Sequence, residues 1–296
     1  MISILIPTYN YNVFDLVSNL HGQLKIMDIP FEIIVCEDAS IKFTDKNEKI
    51  SEFNNTYYFK LAKNIGRTAL RTLLASKTKY NWLLFLDADV LPKKENFIEK
   101  YIHSIKETKS DVFFGGICYE KKKPKSNKIL RWKYGKEREA KTVSERKKNP
   151  YFVISQNLLI KKEVFIATNI LHENYYGLDN FFSNQLKRLN ATVTHINNPV
   201  LHFGLEENNV FLKKALKAIE TTVILEKKGM MDDNLRPIQK SYLHLKKYRA
   251  LNSFSFIISK FKPKMEHNFI TGNPNLFWFD LYRLNYYIQI KKKYNA

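Results

Sequence analysis

Sulfur is scarce in this chain. Its 296 residues include two cysteines, Cys36 and Cys118, too few for a disulfide framework. Both lie in apolar, strand-like runs, which predicts reduced, buried thiols in a reducing compartment. Long hydrophobic runs are missing as well. Stretches such as 82–86 and 254–259 fall far short of the roughly 18 residues that a spanning helix needs. Residues 2–6 pass straight into Pro7 with no basic region or small-residue cleavage site, so no cleaved leader is expected. There is no internal repeat and no Gly/Ser linker. No Gly-x-x-x-x-Gly-Lys-Ser/Thr or Gly-x-Gly-x-x-Gly occurs, so P-loop and dinucleotide readings lose support. No Ser/His/Asp or Cys/His pattern at suggestive spacing points to nucleophilic catalysis. These absences leave a soluble or peripheral protein of one large domain, or a domain with an appendage.

Acid is scarce relative to base. The chain has 49 Lys/Arg against 29 Asp/Glu, a net charge of +20. Residues 119–148 hold 13 bases and 4 acids, and residues 240–296 hold 11 and 2. Such a surface attracts anionic lipid headgroups, an anionic glycan or nucleic acid, and charge alone does not choose among them. A hydrophobic content of 44% is enough to bury a sizeable core.

What is present is an alternation of strand and helix. Apolar runs at 2–6, 31–36, 57–61, 82–86 and 112–117 read as strands, separated by helical periods over 14–27, from 67 to about 76, and 95–107. A mainly parallel sheet with helices on both faces follows. The stretch 119–150 has no clear period and reads as a long connection or mobile lid. Residues 155–160 and 192–196 look like further strands, 179–188 a helix, and everything from 207 onward helical. The expected organisation is a catalytic domain over 1–206 and a basic, aromatic-rich helical region over 207–296.

Polar turns follow the carboxyl ends of successive strands, where open α/β sheets bind ligands. Thr8, Asp38, Asn64, Asp87 and Asp89 should therefore line one crevice. Asp87-Ala88-Asp89 is the sharpest feature. Two carboxylates at i and i+2 after an apolar strand can converge on Mg²⁺ or Mn²⁺ and so meet phosphate oxygens, although a bare Asp-x-Asp is usually a solvated turn. Asp38 can accept from a pyrimidine imide or a ribose hydroxyl, and Pro7-Thr8-Tyr9 can offer backbone groups and a ring. Each also reads as an ordinary turn or cap. Asn64 and Arg67 open a helix, a place suited to phosphate and equally to a plain N-cap with a surface arginine.

Four segments in order, Ser3-Ile4-Leu5-Ile6-Pro7-Thr8-Tyr9-Asn10, Glu37-Asp38-Ala39-Ser40, Asn64-Ile65-Gly66-Arg67-Thr68-Ala69-Leu70-Arg71 and Leu84-Phe85-Leu86-Asp87-Ala88-Asp89, resemble the inverting family 2 glycosyltransferases of GT-A fold. The resemblance covers roughly residues 1–210 and implies a Rossmann-like sheet with a helical C-terminal extension. It implies that Pro7, Thr8, Tyr9, Asp38, Asn64, Arg67, Asp87 and Ala88 hold a nucleotide-sugar donor, a UDP-sugar, with Asp87 on the ribose or sugar. Asp89 would then bind the metal, Mn²⁺ or Mg²⁺. The family's catalytic base lies in a Glu-Asp pair at a helix start. Here Leu178-Asp179 keeps the Asp and replaces the Glu, so a probable acceptor contact is lost. Asp179 reads as the base, or as a carboxylate favoured by the helix dipole. His202 stands where the family often places a histidine on the metal, while His195 reads as structural. Phe113-Phe114-Gly115-Gly116 allows a close backbone approach to the sugar, or is simply a strand end.

The implied acceptor is a hydroxyl of a glycan or lipid-linked glycan, met in the cytoplasm or at the inner face of the cell membrane. The basic tail would serve there for peripheral association with an anionic membrane surface. A nucleotidyltransferase would need a glycine-rich basic loop after the first strand, which is missing. The other class is a non-catalytic basic binding protein for nucleic acid or acidic glycan. Tyr242, Tyr248, Phe254, Phe256, Trp278, Tyr282, Tyr286 and Tyr287 can stack on bases, but at helical spacing such residues more often form core, and nucleic acid is the weaker partner.

Overall fold

The computed structural model describes residues 1–171, 173 and 175–295. It divides into two compact units. One comprises Met1–Tyr119, Ala140–Asn174 and Leu186–Gly204, the other Glu120–Glu139, Tyr175–Gln185 and Leu205–Ala296. Compactness thus divides the chain differently from 1–206 and 207–296, because two internal segments join the C-terminal residues.

The elements begin with β1 (Ile2–Thr8), α1 (Phe14–Leu24), β2 (Phe31–Glu37), α2 (Thr44–Glu48), β3 (Thr56–Lys60) and α3 (Arg67–Ser76). Next come β4 (Trp82–Leu86), β5 (Val90–Pro92), α4 (Phe97–Glu107), β6 (Val112–Phe114) and β7 (Ile117–Cys118). Then follow α5 (Ile129–Tyr134), α6 (Val143–Lys147), β8 (Asn157–Lys161), α7 (Lys162–Thr168) and α8 (Asp179–Arg188). The last are β9 (Val193–His195), β10 (Val200–His202), α9 (Asn208–Lys227), α10 (Pro237–Lys247), α11 (Leu251–Ile270) and α12 (Leu276–Asn295).

The first unit is built on a seven-stranded sheet of order β3-β2-β1-β4-β8-β6-β9. Strand β1 pairs in parallel with β2 and β4, and β2 with β3. Its Ile2, Ile4, Leu5 and Ile6 are fully buried, the unbroken apolar run of a strand covered on both faces. Each such side chain contributes about 1.5–3 kcal/mol of transfer free energy. The helices α1 and α4 supply Leu16, Val17, Leu20, Phe97 and Tyr101 to the same core. The sheet is mainly parallel, as expected, but β8 runs antiparallel to both β4 and β6.

The expected strand over 112–117 is broken. Gly115 and Gly116 separate β6, in the large sheet, from β7, in a three-stranded sheet of order β5-β10-β7. A Cβ at Gly115 would sit 2.4 Å from Asn157 Nδ2 and 2.5 Å from the Tyr101 hydroxyl, and Gly116 has φ +91°. Only glycine fits the first position, and the second favours it. The stretch 119–150, expected to be irregular, contains α5, α6 and short 3₁₀ and π turns at Ser126–Lys128 and Gly135–Glu139. Elements this short carry too few periods to be read from spacing. Both cysteines are free. Cys36 is buried, and burial first of all pushes its thiol up to about 11, whereas Cys118 is only half-buried, a correction to the expected pair of buried thiols.

The second unit is helical. Leu130, Phe211, Ala215, Ile258, Met265, Phe269, Leu276, Phe279 and Tyr282 form one cluster, and Ile219, Val223 and Tyr287 another. Most of the tail's aromatics are therefore core. Phe256 and Tyr248 are exposed instead. Among the described residues no helix is long and apolar enough to cross a membrane.

Candidate active site

The strand ends of the first unit gather the polar residues that the sequence singled out. The first two turns are tied together by side chains. Asn10, at φ +51°, accepts from the Ile41 and Lys42 amides through Oδ1 at 2.9 and 3.1 Å, and its own N–H donates to Ser40 Oγ at 2.9 Å. Ala39 follows Asp38 at φ +58°, a strained conformation for a residue other than glycine, held by these contacts. Thr8 is buried and its carbonyl accepts from the Asp38 amide at 2.9 Å, while its Oγ1 has no hydrogen-bond partner. Tyr9 stands out with its ring more than half exposed.

Asp38 is buried and its carboxylate is already engaged. Oδ1 accepts from the Ile65 amide at 2.7 Å and Oδ2 from the Gly66 amide at 2.9 Å, and Asn64 Nδ2 donates to the Asp38 carbonyl at 3.0 Å. These bonds fix the entry to α3. Its N-cap is Gly66, at φ +82°, with no side-chain cap, so Asn64 is not the capping residue.

From α3 two arginines reach Asp87 at the end of β4. Arg67 Nη2 lies 2.7 Å from Oδ2, and Arg71 Nη2, one turn further along, lies 2.6 Å from Oδ1. Arg71 also donates to the Ser155 carbonyl at 2.9 Å, and Arg67 to the Ser155 hydroxyl at 3.3 Å. Arg71 was visible in the sequence as the i+4 companion of Arg67, but nothing local marked Ser155 as its partner.

Asp89 has a different environment. It immediately precedes β5, which pairs antiparallel with β10 so that Val90 faces His202, and the Phe203 amide donates to the Asp89 carbonyl at 2.9 Å. The register brings Asp89 Oδ2 to 3.2 Å from His202 Nε2. Tyr119 packs edge-on against the imidazole, with ring centroids 5.3 Å apart. Burial alone would raise the Asp89 carboxyl. The hydrogen bond and charge of His202, with the charge of Arg67, outweigh burial and hold it below the usual carboxylate range.

The pair fits a divalent cation. A carboxylate oxygen and an imidazole nitrogen are an O,N donor set suited to Mn²⁺. His202 Nδ1 is buried without a partner. A Cβ at Gly204 would lie 1.7 Å from Asp89 Oδ2 and 2.9 Å from His202 Nε2, so the Asp89 carboxylate can pack here beside His202 because residue 204 is glycine. Among the described residues no three His, Cys, Asp or Glu side chains converge, which leaves further coordination to a ligand or water.

Behind this corner lies a buried polar knot that the sequence did not reveal. Asn157 Nδ2 donates to the carbonyls of Gly116 and Asn198 at 2.8 and 2.9 Å. Arg146, from α6, donates to the carbonyls of Phe114 and Ile196 at 2.8 and 3.0 Å. His195 Nε2 lies 2.8 Å from the Pro150 carbonyl, which makes it the N–H that donates. Burial, with the charges of Arg146 and Lys147, lowers this histidine to about 4 despite the Pro150 bond. Its structural role was expected.

Asp179 opens α8 in the second unit. The preceding turn depends on Gly177, at φ +83°, where a Cβ would meet the Ala218 Cβ at 2.5 Å. The next residue, Asn180, accepts through Oδ1 from Arg236 of the same unit.

A mainly parallel sheet flanked by helices, with this helical C-terminal region, is the fold of the GT-A glycosyltransferases. Residues 3–168 match the model of glycosyl transferase family 2, and the chain belongs to that family. Similar solved structures include S. aureus TarS 1-349, solved also in complex with UDP-GlcNAc. In that complex it is 16% identical, with a TM-score of 0.52 over 99% of this chain and 91% of that one. The mannosyltransferase PcManGT from Pyrobaculum calidifontis, in complex with GDP-Man and Mn²⁺, is 12% identical with a TM-score of 0.59, covering 99% and 86%. Glucosyl-3-phosphoglycerate synthase from Mycobacterium tuberculosis, with Mn²⁺, UDP and glucosyl-3-phosphoglycerate, is 14% identical with a TM-score of 0.50, covering 78% and 81%. Likeness at these identities shows the fold. No curated protein sequence matches the chain.

Proposed function

We propose that this glycosyltransferase moves a sugar from a UDP-sugar to a hydroxyl of a glycan or lipid-linked glycan, with inversion and with Mn²⁺ or Mg²⁺ bound. The observation that carries the reading is the Asp89–His202 pair, whose close approach Gly204 permits. Asp89 and His202 would hold the ion, which when bound supplies charge neutralisation for a departing diphosphate.

The remaining roles fall to the chain's own groups. Pro7, Thr8 and Tyr9 supply backbone, hydroxyl and ring to the nucleoside. Asp38, whose two oxygens retain lone pairs beyond the Ile65 and Gly66 bonds, faces the base or ribose and holds Asn64 in place. Asp87 and Ala88 border the ribose and sugar, and the guanidinium of Arg67 adds positive charge for phosphate. A carboxylate oxygen of Asp179 takes the proton of the acceptor hydroxyl as it attacks the anomeric carbon in line. A single displacement inverts that centre. Leu178 removes one polar acceptor contact, which narrows or shifts the acceptors accepted. The basic charge supports a station at the inner face of the cell membrane, where lipid-linked acceptors are met.

Calorimetry with UDP, with and without Mn²⁺, tests the reading. Metal-dependent binding in the parent that vanishes in Asp89→Ala is expected, and Asp179→Asn should bind UDP normally while losing transfer by about 10²-fold or more. If neither UDP nor GDP binds with any metal, the reading fails and a basic binding protein replaces it.

A further inference from the structure

Helix α11 carries exposed apolar side chains beside its core-facing stripe. Phe254, Ile258, Met265 and Phe269 turn into the core of the second unit. At about 100° per residue, Ser253, Phe256, Ile257, Lys260, Phe261 and Lys264 share a neighbouring arc of about 140°. On that arc Phe256, Ile257 and Phe261 are 62%, 53% and 51% exposed. A surface helix normally carries one apolar stripe, and a second one, on successive turns, needs its own environment. Ile270 and Phe277, also exposed, follow at the turn into α12.

The charge around these side chains selects what covers them. Lys260 and Lys264 lie on the same arc as the apolar residues, Lys262 pairs instead with Glu266 at 3.8 Å, and Lys246, Lys247 and Arg249 precede them. The only acids over 240–296 are Glu266 and Asp280. Glu266 accepts from the Tyr282 hydroxyl at 2.6 Å, and Asp280 pairs with Arg138 at 2.9 Å. Neither opposes an anionic surface. A second copy of this chain, also at +20, would be repelled. Single-stranded nucleic acid would need open ring faces, yet Lys260 Nζ lies 4.3 Å from the centroid of Phe256, and Ile257 offers no ring at all.

We infer that the exposed face of α11 is an interfacial membrane-docking surface. Phe256, Ile257 and Phe261 enter the acyl boundary of an anionic bilayer, and Lys260 and Lys264, on the same arc, reach up to its headgroups. Long lysine stems allow that division of labour between chain and charge. The inference deepens the membrane-peripheral part of the function proposed above and is independent of the transfer chemistry.

Flotation of the full chain with mixed phosphatidylglycerol–phosphatidylcholine vesicles tests it. The parent should float with the anionic vesicles and not with phosphatidylcholine alone. Phe256→Ser/Ile257→Ser/Phe261→Ser should lower partitioning by about tenfold or more while UDP calorimetry and the thermal midpoint stay unchanged. Phe256→Trp should gain a blue-shifted emission component on adding anionic vesicles that the parent lacks. Failure of the parent to float overturns the inference, as does equal flotation of the triple serine variant, which would mean adsorption by charge alone. Two other results also overturn it: oligonucleotide binding that the serine variant abolishes, or a parental dimer that the variant converts to monomer. None of these outcomes touches UDP binding, so the docking surface and the donor site fail separately.

Discussion

Two carboxylates stand two residues apart and live in opposite conditions. Around Asp87, and around Asp38 two strands away in the same sheet, the oxygens are occupied: two arginines on one, two backbone amides on the other. Asp89 is hydrogen-bonded to an imidazole whose far nitrogen is buried without a partner among the described residues, and a glycine lets the two approach. The strand ends of the large sheet are thus a finished scaffold, and the corner of the small sheet is a site with room for something more. Polar residues at strand ends do not share one job. Some hold the crevice in shape so that others can be left incomplete.

That contrast can be broken in four places. Asp87→Ala should strike stability first, because it strips a carboxylate from the buried Arg71. A cost of about 3–5 kcal/mol, read from urea unfolding, is expected. A loss below about 1 kcal/mol would mean that Asp87 is no more structural than Asp89. Asp89→Ala should do the reverse, with a fall of about 10²-fold or more in sugar transfer and little change in the unfolding midpoint. Gly204→Ala sharpens the same point with one methyl group. It should weaken Mn²⁺-dependent UDP binding by about tenfold by crowding Asp89 Oδ2, and leave metal-independent folding intact. The smallest effect concerns pH. His195 is held near 4 in the folded chain against about 6.5 unfolded, so the unfolded chain takes the proton more readily. Stability is full above pH 6.5 and declines as pH falls toward 4, and His195→Gln should flatten that slope in a thermal-shift series.

Much of the scaffold was written locally. The helix of α3 begins at Arg67 and ends at Ser76, where the sequence placed it, and α8 spans Asp179–Arg188 as read. Strand β1 was legible because a strand covered on both faces must be apolar throughout. The placing of Asp38 and Asp87 after the ends of β2 and β4 followed from the alternation of elements. What escaped had no local signature. The antiparallel insertion of β8 is a choice of partner, not a property of Asn157–Lys161. The small sheet consists of strands of two or three residues, too short for a period. Arg146 lay in a charged stretch that resembled solvated surface, yet its guanidinium is buried against carbonyls. Buried cations cannot be told from exposed ones by composition.

The position of β8 also sets a timetable. Strands β1 to β4 pair only with one another or with β8, so four parallel neighbours are complete once residue 86 has been made. Strand β6 has no partner at all until β8 and β9 arrive, and Asp89 meets a histidine 113 residues downstream. During vectorial synthesis the turns after β1, β2 and β4 can therefore be assembled on the ribosome while the Asp89–His202 corner waits for the end of the first unit. A chain stalled or cut before residue 202 would own the parallel strand ends with Asp38 and Asp87 and no histidine to meet Asp89.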